Sequence, residues 1–402
     1  MNIWNKYRIG DCCEVTSSKR VFLADYVESG IPFYRSKEIA ELQSCTPITT
    51  PLYISEEKYK DIKTKYGIPQ KGDLLLTAIG ATLGIPYLIK DNEPFYFKDG
   101  NLIWFKNFNP QLSSEYLYLW MVSSYGYDSM QNVAIGSAQK ALTIAALKDI
   151  AIEIPPIEIQ KKISCVLTAY DNLIENNNKR IHLLEQMAEN LYKDWFAYHR
   201  IKGSAKEIRL TEIVSYNRGL SYSSDEINCE DGNDLINLKN IQAFGGFRLD
   251  GTKRYNGQYK KEQVVKEGDL IMGVTDMTQD RRTVGSVALI PNISNLSVIS
   301  ADLIKLNSVI DNVFLYALFR WGNVSKYISQ FANGANVLHL RPQVLKNVKV
   351  LLPQQILIDK FVSVVKPMIG MINKLNTENE SLSRQRDLLL PRLMSGKLEI
   401  NV

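Results

Sequence analysis

Two stretches of the chain place apolar residues at alternating steps of four and three. The first runs Ile163, Leu167, Tyr170, Ile174, Asn177, Ile181, Leu184, Ala188, Leu191 and Trp195. The second runs Ile358, Phe361, Val365, Met368, Ile372, Leu375, Asn379, Leu382, Arg386, Leu389 and Leu393. This is the a/d stripe of a coiled coil, and it predicts two long helices that share a seam. Pro155-Pro156 and Pro353 suit the helix starts, and Gly203 and Gly396 suit the ends. Pro367 removes a backbone donor inside the second stripe and predicts a kink or a restart. The polar seam positions Asn177 and Asn379 are of the kind that fixes register at some cost in stability.

The segments before the helices show a different pattern. Short β-rich runs such as Asp73–Thr77 and Leu102–Phe105 are bounded by Gly, Pro and Asn turns, and an aromatic helical patch follows at Tyr116–Met121. Residues 206–352 repeat that order through Leu270-Ile271-Met272, Asp302–Leu306 and Phe314–Phe319. Gly72-Asp73-Leu74-Leu75 returns as Gly268-Asp269-Leu270-Ile271, and Ile154-Pro155-Pro156 as Leu351-Leu352-Pro353. The chain is therefore a duplication, with a period far beyond that of solenoid repeats. The expected organisation is an α/β (α+β) domain over 1–154, a spacer helix over 155–202, a second domain over 203–352, and a second helix with a tail over 353–402.

If the helices pair antiparallel, the second returns the chain to the first domain. Lys397-Leu398-Glu399-Ile400 then lies beside that domain, as Lys206-Glu207-Ile208 lies at the start of the second. The expected arrangement is pseudo-two-fold and near-circular. Ile163 to Trp195 gives roughly 50 Å of helix, against about 34–36 Å for one turn of B-DNA.

Composition narrows the function classes. With 402 residues, the chain exceeds one ordinary hydrophobic core. No apolar run is long enough to span a bilayer, and the start of the chain lacks the features of a signal peptide. We expect a cytoplasmic, nucleoid-associated protein with no membrane partner. Cys12, Cys13, Cys45, Cys165 and Cys229 form no C-x-x-C pair, and only His182, His199 and His339 accompany them. Reduced structural thiols are expected, and no metal site. The net charge of +5 is too even for a non-specific polycation. It suits a nucleic-acid binder whose basic groups are local or supplemented by a partner.

The domain–helix junctions carry a family resemblance. Ile154-Pro155-Pro156-Ile157-Glu158-Ile159-Gln160-Lys161-Lys162-Ile163 resembles the opening of the conserved helix in type I restriction–modification specificity subunits. Arg386-Asp387-Leu388-Leu389-Leu390-Pro391-Arg392-Leu393-Met394-Ser395-Gly396-Lys397-Leu398 resembles the end of the second conserved region. The Gly-Asp-Leu pair and the segments Ile135–Lys140 and Asn333–Val337 are similar to the family's target-recognition domains. The likeness covers essentially the whole chain. The second junction, Pro353-Gln354-Gln355-Ile356-Leu357, departs from the pattern by lacking the second proline and the usual glutamine. The resemblance implies a subunit without chemistry of its own, whose two recognition domains each read half of a split site in double-stranded DNA. It also implies that the helices set the gap and dock two modification subunits, which methylate adenines. S-adenosylmethionine, ATP and Mg then belong to partner subunits, with restriction subunits able to join the same core.

The residues agree with that division of labour. The chain has no G-x-x-x-x-G-K-[ST], no strand-linked G-x-G-x-x-G, and no Asn/Asp-Pro-Pro-Tyr/Phe. Glu56-Glu57-Lys58 reads as a solvated helix face rather than part of a nuclease, and three scattered histidines make no triad. Base readout needs forked side chains on loops, with phosphate contacts fixing register. The candidates in the first domain are Tyr34, Arg35, Lys37, Thr82, Gln139 and Lys140. Those in the second are Lys239, Asn240, Arg248, Lys253, Arg254, Arg281, Arg282, Asn336, His339 and Arg341. Arg281-Arg282 is the strongest pair, since two guanidinium groups on a turn suit guanine or phosphate. For each residue, an ordinary exposed charge or a packed ring is the competing reading. Beyond the seam, Ile157, Ile159, Val166, Leu173, Leu183, Met187 and Phe196 are expected to form a partly uncovered apolar strip for partner docking. Two alternatives stay open: a two-headed scaffold that binds no DNA, and a methyltransferase or nuclease with unrecognised motifs.

Overall fold

The computed structural model describes residues 4–44, 46, 48–136, 140–196, 205–227 and 231–398. Residues 1–175 and 381–402 make one compact unit and residues 176–380 the other. The long helices Ile157–Phe196 and Gln355–Met394 therefore each contribute one segment to either unit. Among the described residues, no helix is long and apolar enough to cross a membrane.

In the first unit, strand β1 (Asn5–Arg8) pairs antiparallel with β10 (Ala151–Ile154), the strand that leads into the first long helix. An antiparallel sheet has the order β2-β9-β6-β7, built from Glu14–Thr16, Leu102–Lys106, Leu74–Thr77 and Pro86–Leu88. A smaller sheet has the order β3-β5-β4-β8, from Tyr26–Val27, Tyr53–Ile54, Ile31–Tyr34 and Tyr96–Phe97. Its β4–β8 pair is parallel. All four residues of β6 are buried, as befits a strand covered on both faces.

The second unit repeats this plan. Here β11 (Lys206–Arg209) pairs antiparallel with β22 (Lys349–Leu352), again just before a long helix. The larger sheet, β12-β20-β16-β18, joins Val214–Arg218, Leu303–Ser308, Leu270–Gly273 and Val287–Leu289. The smaller, β14-β13-β19-β15, joins Lys253–Tyr255, Asn233–Ile236, Ser297–Ile299 and Val264–Val265, with a parallel β13–β19 pair.

The recurring Gly-Asp-Leu has a local cause. Gly72 (φ 90°) and Gly268 (φ 81°) turn in the left-handed region, which disfavours a Cβ. The following aspartates accept the main-chain N–H three residues back, Gln70 to Asp73 at 3.0 Å and Lys266 to Asp269 at 2.9 Å. The glycine N–H bonds Ile89 O or Ile290 O at 2.9 Å in the respective unit. The motif is the same turn built twice, ahead of the central strand of the larger sheet.

Within each unit the two long helices run antiparallel. In the first, Arg386 donates to Asp171 at 2.7 Å, and Ile163 and Leu167 join Leu393 and Met394 in the core. In the second, the Asn177 amide donates to Asn379 Oδ1 at 3.0 Å, and Phe361 packs edge-on against Tyr192 and Trp195. Phe361, Val365 and Leu375 are buried. The seam positions Tyr170, Ile174, Ile181, Leu184, Leu191, Met368, Ile372, Leu382 and Leu389 are half-buried. Both helices span 40 residues and begin two residues after Pro155 and Pro353.

The first junction is locked by Gln160, whose buried amide donates to Gln111 O (2.6 Å) and Pro155 O (2.9 Å) and accepts from Ser113 N (2.9 Å). Ile358, equally buried, holds the matching place in the second copy. That junction is packed rather than hydrogen-bonded, so its helix starts without the missing glutamine.

Of the two outcomes expected at Pro367, a kink or a restart, the restart does not occur: the second helix continues through it. Pro367 and Ser363, whose carbonyl loses its intrahelical donor, both face solvent, where water can serve that oxygen. Gly396 (φ 67°) closes this helix, whereas Gly203 lies outside the described residues. Leu398 and Lys397 stand with Trp4 and Trp120 around a cavity of about 630 Å³ in the first unit. Glu399 and Ile400 lie outside the described residues.

Candidate nucleic-acid interface

Each unit carries a pair of loops at the same place in its fold. In the second unit, Leu340 N–H bonds Val274 O at 2.8 Å, and Asn333 and His339 exchange main-chain bonds of 3.1 and 2.9 Å. In the first, Leu142 N–H bonds Ala78 O at 2.9 Å, and Ile135 and Ala141 exchange bonds of 2.9 and 2.8 Å. A loop after the central strand thus sits beside a short hairpin in both. Gly84 N bonds Thr77 O and Gly285 N bonds Gly273 O, each at 2.8 Å, closing the strand-side loop. From Val274 to Gly285 that loop is five residues longer than from Ala78 to Gly84, and the extra length carries Arg281 and Arg282.

The longer loop hangs from Asp276. This carboxylate, at the end of β17 (Thr275–Asp276), is 2% exposed. It accepts N–H groups from Thr278 (2.8 Å), Thr283 (2.6 Å) and Val284 (3.1 Å), and the Thr278 hydroxyl at 2.8 Å. Burial pulls its pKa upward, and these four donors together outweigh that pull, holding the carboxyl below its ordinary value. The loop is further tied to its neighbours. The Gln279 amide donates to Ala335 O at 2.9 Å, and Phe244 N–H donates to Arg282 O at 2.7 Å. Three loops, 242–247, 277–283 and 333–339, therefore converge on one rim.

The candidate residues separate clearly. Arg281, exposed at φ 54°, makes no ion pair with any described residue, and Asn336 and His339 are exposed on the paired hairpin, with Arg341 exposed just after it. Arg282 is exposed but forked onto Asp280 at 3.1 and 2.6 Å, so a ligand must compete for it. In the first unit, Thr82 lies half-buried in the Gly80–Gly84 turn, with its carbonyl accepting the Thr77 hydroxyl, and Lys140 is exposed on the adjoining hairpin. Gln139 lies outside the described residues.

The other candidates differ in how far the fold already engages them, and Asn240 is the one it withdraws from the surface. Asn240 is fully buried: it donates to Arg248 O and Thr252 Oγ1 at 2.8 Å each and accepts Asn237 N–H at 2.9 Å. Arg35 is forked onto fully buried Glu38 at 3.1 and 2.5 Å, and that hydrogen bonding raises its pKa. Burial works against the Glu38 carboxylate, while Arg35 and Thr50 hold its pKa below the usual range. These two candidates follow equivalent parallel strands, β4 and β13, and serve equivalent turns: Arg35 N–H bonds Glu38 as Asn237 N–H bonds Asn240. Polar groups that the sequence offers for base reading are consumed by folding. Tyr34 packs tilted on Phe95, 5.1 Å between centroids, and burial raises its hydroxyl pKa. Arg248 is forked onto Asp250, and Arg254 bridges Asp234 at 2.9 Å. Lys253 lies over the Tyr222 ring, Lys37 is 3.9 Å from Glu41, and Lys239 is exposed.

The rim also holds apolar residues that the candidate set omits. Phe244 is 65% exposed and Met277 is 78% exposed. A phenylalanine directly before Gly245-Gly246 was the available signal, because such a turn cannot bury its tip. On the helices, Val166, Leu173, Leu183 and Met187 are exposed as expected, joined by Ile356, Val364, Met371 and Leu388. Ile159 and Phe196 are corrected: each belongs to a unit's core. Ile157 is half-buried.

The comparisons with known proteins come from the same direction as this geometry. Residues 1–186 match the family model described as type I restriction modification DNA specificity domain. Over 99% of its length the chain is 25% identical to the type I restriction enzyme MjaIX specificity subunit of Methanocaldococcus jannaschii, covering 94% of that protein. It is 29% identical over 46% of its length to a putative type I restriction enzyme specificity subunit of Haemophilus influenzae, covering 45% of that protein. The fold is similar to that of a type I restriction-modification S subunit from M. genitalium, with a TM-score of 0.65 and 14% identity, over all of this chain and 97% of that one.

Proposed function

The chain belongs to the type I restriction–modification specificity subunits, and from that premise we propose how its residues divide the work. It is a non-catalytic subunit that gives a modification and restriction complex its DNA sequence. Each recognition domain reads one half of a split site, and the antiparallel helices set the gap and dock the modification subunits. Two such subunits, bringing S-adenosylmethionine to adenine, fit two copies of one scaffold, and the exposed apolar positions of both helices are their docking surface. ATP and Mg serve restriction subunits on the same core.

The observation that carries the site reading is the loop pair built twice at matching positions with different side chains. Arg281, Asn336, His339 and Arg341 supply donors and forks in the second unit, and Thr82 and Lys140 in the first. Unpaired Arg281 is the leading base or phosphate contact, since its guanidinium need not leave a partner to bind. The halves share a scaffold and differ in what they read, so the target is asymmetric.

Co-expression with the modification subunits and genome-wide mapping of methylated adenine tests this. One split motif is expected, and the purified chain alone with S-adenosylmethionine and DNA transfers no methyl group. Arg281→Ala should weaken duplex binding by about 1–3 kcal/mol if it forks onto a base, relaxing one half of the motif only. A relaxed requirement in both halves, or an unchanged motif and affinity, removes Arg281 from the site.

A further inference from the structure

We propose that Phe244 is a specificity-determining residue that reads a thymine through its 5-methyl group. This rests on the DNA-reading function above and adds to it an apolar component at the second half-site. Phe244 stands at the tip of a tight hairpin, Ile241–Phe247, closed by the Gln242 N–H to Gly246 O bond of 2.9 Å. Its φ is 64°, and Gly245 (111°) and Gly246 (112°) continue the chain with positive φ. A bulky residue rarely adopts this conformation, and its strain persists only where the surroundings impose it. The Phe244 N–H to Arg282 O bond imposes it here, tying the tip to the loop that bears Arg281.

The strain does not serve burial, because the ring is 65% exposed. Asparagine or glycine fits this backbone better, so packing and local conformation both argue against phenylalanine. What the ring does have is a setting. Arg281, Gln242 and Asn336 are exposed on the three converging loops, and Met277 is exposed on the same loop as Arg281. Arg, Gln and Asn recognise the hydrogen-bonding edges of bases in the major groove. An apolar ring among them meets the one apolar group on those edges, the thymine methyl.

The test uses the complex of the full chain with its modification subunits. The probes are duplexes of the mapped wild-type motif in which each thymine is replaced in turn by uracil, which lacks only the methyl group. At one thymine of one half-site, uracil should weaken wild-type binding several-fold. Phe244→Ala should bind the thymine duplex about tenfold more weakly, the scale of one lost base contact, and should lose the thymine–uracil difference. Phe244→Asn, which suits the backbone, should unfold at the same or a higher temperature while showing the same binding loss. That separates reading from folding.

Four outcomes overturn the proposal: a motif without thymine in the affected half, no sensitivity to uracil, Phe244→Ala binding like wild type, or a binding loss that keeps the methyl preference. Failure of the wild-type complex to bind any duplex selectively is a distinct result. It would sink the DNA-reading function itself.

Discussion

Asn240→Ala distinguishes a base reader from a structural lock. The Asn240 side chain is fully buried, and its three hydrogen bonds join its own turn to the 248–252 segment of the second unit. Truncation leaves Asn237 N–H, Arg248 C=O and the Thr252 hydroxyl without that partner. At about 1 kcal/mol for each bond, the loss is about 3 kcal/mol. For a unit of this size that lowers the melting temperature by about 6–12 °C. Asn240→Asp should be worse than its isosteric shape suggests, because it keeps the acceptor but turns a buried carboxylate toward the Arg248 carbonyl oxygen. The assay is thermal and urea unfolding of the purified chain, with methylation mapping of the complex at a temperature where the variant is folded. The expected result is a large stability loss with an unchanged motif. A variant as stable as wild type whose motif has changed would refute the reasoning, and would return Asn240 to the reading surface.

Three further outcomes follow from the same structure. Asn177→Leu with Asn379→Leu should raise the unfolding free energy by about 1–2 kcal/mol through added apolar burial while loosening register; a lower midpoint, or unchanged hydrogen-exchange protection along the helices, counts against a register role. Asp276 has a lowered folded pKa, so its stabilisation is present above its unfolded value of about 3.9 and is lost as pH falls through the folded value. Unfolding followed between pH 6 and pH 2 should show that loss in the wild type and a weaker acid dependence in Asp276→Asn, which is already destabilised at neutral pH. Pro367→Ala restores an exposed helical donor and should stabilise the second helix, by up to about 3 kcal/mol; no gain in urea midpoint means that the surrounding packing already prefers proline.

The helices were the most legible part of the chain, because an a/d stripe depends on side-chain period alone and nothing distant can disguise it. The duplication was legible for a related reason: a glycine at positive φ followed by a capping aspartate is a local necessity, so Gly72-Asp73 and Gly268-Asp269 persist where neighbouring side chains drift. Pro367 left a kink and a restart both open, because the cost of a missing donor depends on whether the orphaned carbonyl faces water, and sequence does not display that. The interface was the least legible part. Arg35, Asn240 and Arg254 have the side-chain chemistry of DNA readers, and only the fold shows them committed to Glu38, to main-chain groups and to Asp234.

That commitment bears on how the two halves can differ. The turn after the parallel strand is closed by Arg35–Glu38 in one unit and by Asn237–Asn240 in the other, so one structural task has two polar solutions. Changes there exchange one buried lock for another and must be concerted, since half a lock leaves a buried polar group unpaired. The loop from Val274 to Gly285 is under no such constraint. Its ends are pinned by main-chain bonds and by Asp276, and its tip can lengthen, or exchange Arg281 for another residue, without disturbing the core. On the proposed reading of the rim, target specificity can therefore change there at small cost in stability, while the polar residues beneath it stay fixed by folding.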